Sequence, residues 1–438
     1  MAYLSFPGGI HPPEMKMLSE SMPLETLPLP DTVSLFAAQN MGKPPSWTVQ
    51  PGDTVKTGQP IATASGFVSV PLHAPVTGTV LPFSKAFHPV LQKSVEVCQI
   101  QREGEDDWQL MAPFPDWQNA PQPELVQRVL DAGIVGLGGA TFPSHVKYSG
   151  LDKQPVDTVI LNGAECEPYL TIDDQTMQKK AQSVVRGLAI LMKITGASRG
   201  IIGVEANKLP AVEALRREAT TGITVQILKT KYPQGGEKQL IYALTSRKVP
   251  AGGLPLHIGV VVHNVGTAVA IDEAVTQGKP LVERGVTVSG ECVTKPKNLW
   301  VRIGTPVQQL LDYCGGFSEP PYKLLMGGPM MGIALKDATA PVMKGTSGIL
   351  AVPKRGYEDE GESPCINCGA CIHGCSLRLE PNALVKLVKA RKYDQAVERG
   401  LLYCCECGTC TFVCPSRIEH VKHFKLGKKV YNALKGGK

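Results

Sequence analysis

Nine of the chain's thirteen cysteines lie between Cys365 and Cys414, at gaps of mostly two or three residues. Thiols that close together suit ligation of one centre and not the stapling of distant loops by disulfides. The run resolves into Cys365-x2-Cys368-x2-Cys371-x3-Cys375 and Cys404-x2-Cys407-x2-Cys410-x3-Cys414-Pro415, with Cys405 fitting neither frame. Three thiolates from one tight loop cover three corners of a 4Fe-4S cubane, and the short gaps let backbone N–H groups point at the sulfurs. The chain then leaves the loop as a helix, so the fourth thiolate has to come from elsewhere. Structural zinc uses paired Cys-x2-Cys knuckles separated by a finger, which is a different pattern.

In two-cluster ferredoxins the fourth cysteine of each motif serves the other cluster. By that resemblance Cys365, Cys368, Cys371 and Cys414 hold one cluster, and Cys404, Cys407, Cys410 and Cys375 hold the second. The first motif ends in Ser376 where proline is usual, which is expected to loosen its exit turn. Between the motifs, Leu384, Val385, Leu387, Val388 and Val397 recur at helical spacing, so the ferredoxin domain, residues 355–438, is expected to be α-helical. The four scattered cysteines, Cys98, Cys166, Cys292 and Cys314, read as small buried hydrophobes.

With 438 residues, 43% of them hydrophobic, the chain has material for two to four cored domains. No apolar run approaches the roughly 20 residues of a membrane span. The N-terminus has no basic stretch followed by an apolar one, so the chain is expected to stay in the cytoplasm and to meet a membrane only through a partner. A net charge of +6 collects in the tail, where Arg417, Lys422, Lys425, Lys428, Lys429, Lys435 and Lys438 face only Glu419. That tail reads as a solvated helix or as a docking surface for an acidic partner or lipid; nothing else supports nucleic-acid binding.

Ahead of the cysteines three modules follow one another. Residues 49–80 are short β-branched runs punctuated by Pro-Gly-Asp, Thr-Gly-Gln-Pro and Val-Thr-Gly, which means small twisted strands and tight turns. The pattern resembles lipoyl and biotinyl carrier domains and predicts a β barrel-sandwich over 1–115. The hairpin that would carry the swinging lysine, Ala62–Phe67, has none, and the biotinylation-like string Glu14-Met-Lys-Met17 lies ahead of the pattern. Strand-length and helix-length apolar segments then alternate through 116–280, predicting a Rossmann-like α/β domain with a largely parallel sheet. Its strand ends fall at Asn162–Glu167 and His263-Asn264, where such sheets bind ligands. A strand–turn–strand–helix unit follows, opening a third module over 281–350, and an acidic linker over 353–364 leads to the cysteines.

Gly136-Leu-Gly-Gly-Ala-Thr-Phe-Pro143 with Lys147 is a glycine loop whose successive N–H groups can form an anion nest with a lysine counter-charge. It lacks the dinucleotide fingerprint, since a helix precedes it and Thr141 stands at the third glycine. The loop is followed by Asn162-x-x-Glu165-x-Glu167-Pro168, Tyr232-x-x-Gly235-Gly236-Glu237 and Asn264-Val265-x-Thr267. That order resembles the flavoprotein subunit of respiratory complex I. The resemblance implies that Gly136, Gly138 and Gly139 with Lys147, Asn162, Glu165, Tyr232, Gly235 and Asn264 hold FMN, while Phe142 and Glu237 meet NAD(H). Three family residues are replaced, by Leu137, Ala164 and Gly236, and these bear on NADH more than on flavin.

Taken with the barrel and the paired cysteine motifs, the whole chain resembles the RnfC proteins of Rnf-type electron transport complexes, which are ferredoxin:NAD oxidoreductases coupled to ion translocation. The third module then corresponds to the soluble ligand-binding β-grasp (SLBB) unit. The resemblance implies an α/β multidomain protein carrying FMN and two 4Fe-4S clusters, peripheral on the cytoplasmic face of the membrane. Its partners would be the other subunits, NAD(H), and a ferredoxin or iron–sulfur subunit. Two other readings use similar modules. One is a cobalamin reductase like those serving diol dehydratases, a family that begins at the glycine loop; the other is a scaffold that only relays electrons. No acid–base catalyst stands out, as expected where the cofactors carry the chemistry.

Overall fold

A computed structural model describes residues 3–355 and 360–436; residues 356–359 of the expected linker and Lys438 of the basic tail lie outside the described residues. No helix of the described residues is long and apolar enough to cross a membrane.

The short β-branched runs near the N-terminus form two small antiparallel sheets. One centres on the long strand Lys93–Arg102, flanked by Thr32–Phe36, Gly78–Val80 and Ser84–His88, with Thr54–Val55 at its edge; the other contains Ser46–Trp47, Pro60–Thr63 and Leu72–His73. Val33, Leu35, Val55, Ile61, Leu72, Val80 and Ile100 fill the space between them. At the hairpin tip, where a carrier domain places its lysine, Phe67 stands 63% exposed.

The α/β domain has four parallel strands in the order Ile223–Leu228, Arg199–Glu205, Thr158–Gly163, Val260–Asn264. From Thr158–Gly163 the chain winds outward twice and then returns to the opposite side, so the strand order reverses beside Asn162 and Asn264. Helices Ala181–Thr195 and Val265–Gln277 lie against each other. Their approach is so close that a Cβ on Gly187 would sit 2.1 Å from the Ala268 carbonyl oxygen.

The strand–turn–strand–helix unit extends into a six-stranded mixed sheet, ordered Leu24–Thr26, Lys297–Arg302, Glu283–Ser289, Gly348–Val352, Lys323–Met326, Ile333–Ala334. Its first strand comes from the far N-terminus. Residues 3–27 run as a strap across the molecule: Leu4 bridges to Leu228, Ile10 to Tyr232, and Leu24–Thr26 pairs with Lys297–Arg302.

The C-terminal unit is helical. The apolar period seen between the motifs forms two helices, Pro381–Lys389 and Tyr393–Glu398, and not one, because Arg391 turns left-handed (φ 57°) between them. Helix His420–Gly436 packs on the first of these. On this helix Lys428 pairs with Glu406, Lys435 with Asp394 and Lys422 with Glu419, and just ahead of it Arg417 pairs with Glu360; all but the Lys428 pair are largely exposed to solvent. These acids come from elsewhere in the unit, which linear spacing did not reveal.

Candidate functional site

The strand reversal places Asn162 and Asn264 side by side at the carboxyl ends of adjacent strands, in register with each other. Asn162 donates to the Gly235 carbonyl (2.8 Å) and accepts from the Ala164 N–H (3.2 Å). Asn264 caps helix Val265–Gln277 by accepting from Gly266 N–H at 2.8 Å, and donates to Asp173 at 2.6 Å. The glycine loop rests on this end. Leu137 N–H donates to Thr267 Oγ1 (2.9 Å), and a Cβ on Gly138 would lie 3.3 Å from Asn264 Cβ. Gly138, Gly139 and Ala140 are exposed, Gly139 has φ 116°, and a Cβ there would meet no described atom within 4 Å. Open space above a glycine-rich backbone at a strand switch point is what a flavin phosphate or ring requires. By contrast Gly136 has room for a side chain, its nearest neighbour being the Phe142 carbonyl at 3.7 Å, and it donates to that carbonyl at 2.9 Å.

Lys147 and Glu237 come together at 3.7 Å, with the Lys147 ammonium also donating to the Val262 carbonyl at 2.7 Å. Burial holds the Lys147 pKa below its ordinary value, and Glu237 partly offsets this. Phe142 is half-buried at the end of the loop.

Glu165 takes a left-handed conformation (φ 48°), and its carboxylate accepts the Asp173 N–H (2.7 Å) and Asp174 N–H (3.3 Å) at the start of helix Ile172–Lys179. Its side chain is thus spent on a helix N-terminus, a favourable place for negative charge. Asp173 is the carboxylate that reaches Asn264, and burial, then repulsion from Glu165, raises its pKa. Arg284 from the β-grasp sheet adds a buried positive charge close by, donating to the carbonyls of Leu137 (3.3 Å), Gly285 (3.0 Å) and Lys344. Glu167 accepts from Met330 N–H at 3.0 Å, its other oxygen is unpartnered among the described residues, and burial pushes its pKa up to about 7.

Tyr232 is almost fully buried and donates its hydroxyl to the carbonyl of Cys407 at 2.6 Å. The loop that carries Gly235 beside Asn162 therefore also touches the second cysteine motif. Gly235 N–H donates to Cys166 Sγ (3.2 Å), so that cysteine is an acceptor and not merely filler. Gln239, one turn into the following helix, donates to Ser376 Oγ at 2.7 Å. The serine that was expected to loosen the exit turn instead ties it to the α/β domain, through a hydroxyl that proline lacks.

The two cysteine loops repeat one backbone design. Asn367 and Glu406, each just before the second cysteine, have φ 56° and 58°, and Gly369 and Gly408, just after it, have φ 77° and 83°. Alternating left-handed residues turn N–H groups inward as an anion nest: Glu406 N–H meets Cys404 Sγ at 3.4 Å, and Leu379 N–H meets Cys375 Sγ at 3.3 Å. One recess is lined by Cys365, Cys368, Cys371 and Cys414. The thiol of Cys410 is raised by burial first and then by the charges of Cys404, Cys407 and Cys375, which places Cys375 among the second motif's cysteines. The Cys405 thiol beside it holds Cys407 below the usual thiol range, so Cys405 acts on a neighbouring sulfur although it fits neither frame. Cys365, Cys368, Cys371 and Cys414 thus share one recess, and Cys375 neighbours Cys410 of the other motif, although among the described residues no three candidate ligands are drawn together as around a metal ion.

Sequence reading missed Asp173, Arg284, Cys166 and Lys16. Asp173 and Arg284 carry no motif and reach the site from other elements. Lys16 stood in a string that resembles a modification site; here it is buried and bonded to the Glu165–Leu170 turn.

Four family models match the chain in the order of its modules: the RnfC barrel sandwich hybrid domain over residues 4–105, the Nuo51 FMN-binding domain over 129–273, the SLBB domain over 286–334 and a 4Fe-4S dicluster domain over 364–419. The chain is 45% identical over 397 residues to the C subunit of the proton-translocating ferredoxin:NAD(+) oxidoreductase complex of Clostridium ljungdahlii, covering 90% of this chain and 86% of that one. It is 43% identical to the Na(+)-translocating counterpart of Acetobacterium woodii, covering 89% of each. Identity to the corresponding protein of the ion-translocating oxidoreductase complex of Rhodobacter capsulatus is 41%, over 97% of this chain and 82% of that one. A chain of an NAD+-reducing NiFe-hydrogenase shares the fold, with TM-score 0.52 and 18% identity over 73% of this chain and 64% of that one.

Proposed function

The chain belongs to the RnfC family, the C subunits of Rnf-type ion-translocating oxidoreductase complexes, and from that premise we propose that it exchanges electrons with NAD(H) at an FMN and passes them on through two 4Fe-4S clusters. It is an oxidoreductase subunit, peripheral to the membrane, with an FMN-binding domain and a dicluster domain. When bound, FMN converts between paired electrons carried as hydride and the single electrons that a cubane accepts.

In this reading Gly138 and Gly139 offer backbone N–H groups to the flavin, Asn162 and Asn264 stand at the strand ends beneath it, and Gly136 shapes the loop. Lys147 supplies positive charge, while Phe142 and Glu237 border the nicotinamide nucleotide. Glu165 acts indirectly, by holding the helix that carries Asp173. Cys365, Cys368, Cys371 and Cys414 would hold one cluster and Cys375, Cys404, Cys407 and Cys410 the other. The second quartet lies against the α/β domain, whereas Cys368 and Ile366 of the first are exposed, Ile366 by 67%. That outward face would meet the redox partner, a ferredoxin or an iron–sulfur subunit, on the cytoplasmic side of the membrane.

One observation carries the proposal: residues 232–239 touch both ends of the route, Gly235 at Asn162 and Tyr232 at Cys407. A chain in which flavin and clusters did not communicate would have no need of that shared loop. The test is to purify the protein anaerobically, measure FMN, iron and sulfide, and titrate with NADH. Bleaching of the flavin followed by cluster reduction is expected. FMN and clusters present with no NADH-driven bleaching would leave a relay.

A further inference from the structure

The string Glu14-Met-Lys-Met17 resembles a biotinylation site, yet its lysine is 6% exposed. Lys16 Nζ donates to three backbone carbonyls about 150 residues away, those of Glu165 (2.8 Å), Glu167 (3.1 Å) and Leu170 (2.5 Å). An ammonium so enclosed is closed to modification. Its three acceptors all lie on the turn that leaves strand Thr158–Gly163 at the switch point.

That turn is strained on its own terms. Glu165 and Tyr169 both have positive φ, 48° and 68°, which non-glycine residues adopt at a cost. Its carbonyls converge, and converging dipoles repel unless a cation or donor sits among them. The three hydrogens of a lysine ammonium match three acceptors. The rest of the string holds the lysine in place: Tyr169 N–H donates to the Glu14 carbonyl (2.9 Å), Asn207 donates to the Glu14 carboxylate (2.6 Å), and Met15 packs on Tyr169 and Leu170. Downstream of the turn, Glu165 receives the N–H of Asp173, and Asp173 accepts from Asn264. The chain of contacts therefore runs from Lys16 to the residue beneath the glycine loop.

We infer that Lys16 is a positioning residue for the flavin site, acting through the left-handed Glu165–Leu170 turn, and that the N-terminal strap is part of the cofactor pocket's framework. The inference rests on the reading that FMN occupies the switch point. Without the ammonium the turn loses the charge that gathers its carbonyls, Glu165 leaves the helix N-terminus, and Asp173 no longer sets Asn264.

The test uses full-length protein with clusters intact and flavin removed, titrated with FMN and followed by flavin fluorescence. Lys16→Met keeps length and burial but has no donor; it should raise the FMN dissociation constant roughly tenfold or more, with iron and sulfide content unchanged. Glu25→Gln is the comparison, because it removes the strap's ion pair with Lys297 (2.8 Å), which lies away from the turn's carbonyls; it should lower the melting temperature and leave FMN affinity alone. A wild-type dissociation constant in Lys16→Met, or an equal loss in Glu25→Gln, overturns the inference. If Lys16→Met does not fold, hydrogen exchange of the wild type decides: FMN should protect residues 14–19 together with 165–173, and protection of the turn without the strap overturns it. Failure of the wild type to take up FMN would instead sink the site reading itself.

Discussion

Cys375 follows its own motif by the expected three residues, yet its sulfur neighbours are those of the second motif. Cys375→Ala should therefore spare the cluster associated with Cys365, Cys368 and Cys371 and damage the one associated with Cys404, Cys407 and Cys410. EPR of the reduced variant separates the outcomes, since loss of the signal from its own motif's cluster alone would refute crossed ligation. Glu237 poses a different question, because a carboxylate at a helix N-terminus has a bland role as well. Its ion pair with Lys147 is partly exposed and spans 3.7 Å, so it is worth at most about 1 kcal/mol. If Glu237 meets the nucleotide, Glu237→Gln should raise the Michaelis constant for NADH and slow flavin reduction, with melting barely changed. Unaltered kinetics with slightly lower melting would leave it a helix-end charge.

At the scale of elements, the helix pair beneath the site depends on one missing side chain. Gly187→Val would drive a β-branched group against the Ala268 carbonyl, 2.1 Å from the new Cβ, and backbone cannot yield as a side-chain tip can. Overpacking of this kind costs about 1–3 kcal/mol or more, and helix Val265–Gln277 begins at Asn264, so both melting temperature and FMN content should fall. A Gly187→Val protein that melts and binds FMN as wild type would mean that the helices slide apart freely. Strand Ile223–Leu228 was legible to the residue, since β-branched residues bounded by glycine leave few alternatives. Helix Ile172–Lys179 was not: Asp173, Asp174 and Gln175 break any apolar period, and the partners that bury them, Glu165 and Asn264 among them, come from other elements.

Across the whole molecule, the modules meet at buried charges. Lys344 of the β-grasp module is fully buried and donates to Gly133 O of the α/β domain (2.6 Å) and Pro71 O of the barrel (3.3 Å). Burial lowers its pKa from 10.5 to about 7, and its charge in turn helps keep the buried His73 uncharged. The sign follows: between about pH 7 and pH 10.5 the unfolded chain holds a proton that the folded chain has shed, so stability from this group falls as pH drops through that window and is flat below it. The slope is bounded by about 1.4 kcal/mol per pH unit. Melting of wild type and Lys344→Met, compared between pH 7 and pH 9.5, should show the wild type gaining on the variant as pH rises. Parallel curves would mean that Lys344 keeps its charge.

By itself the amino-acid sequence determined everything whose physics is local. Ligand spacing in the cysteine loops, punctuation of the barrel by glycine and proline, the α/β alternation and the glycine loop are properties of neighbouring residues, and the order of modules follows from their order in the chain. Only the tertiary structure decided what depends on contacts distant in sequence. Lys16 became a clasp on the Glu165–Leu170 turn instead of a modification site, Ser376 became a tie to Gln239, and Tyr232 reached Cys407. The basic tail found its acids on other segments. Lys16, Ser376 and Tyr232 are buried or part-buried polar groups whose partners must be supplied by another element, because an unpaired one costs too much to persist, whereas most of the tail's pairs stay exposed. Which element supplies it is settled by the packing of whole domains, and no local pattern records that.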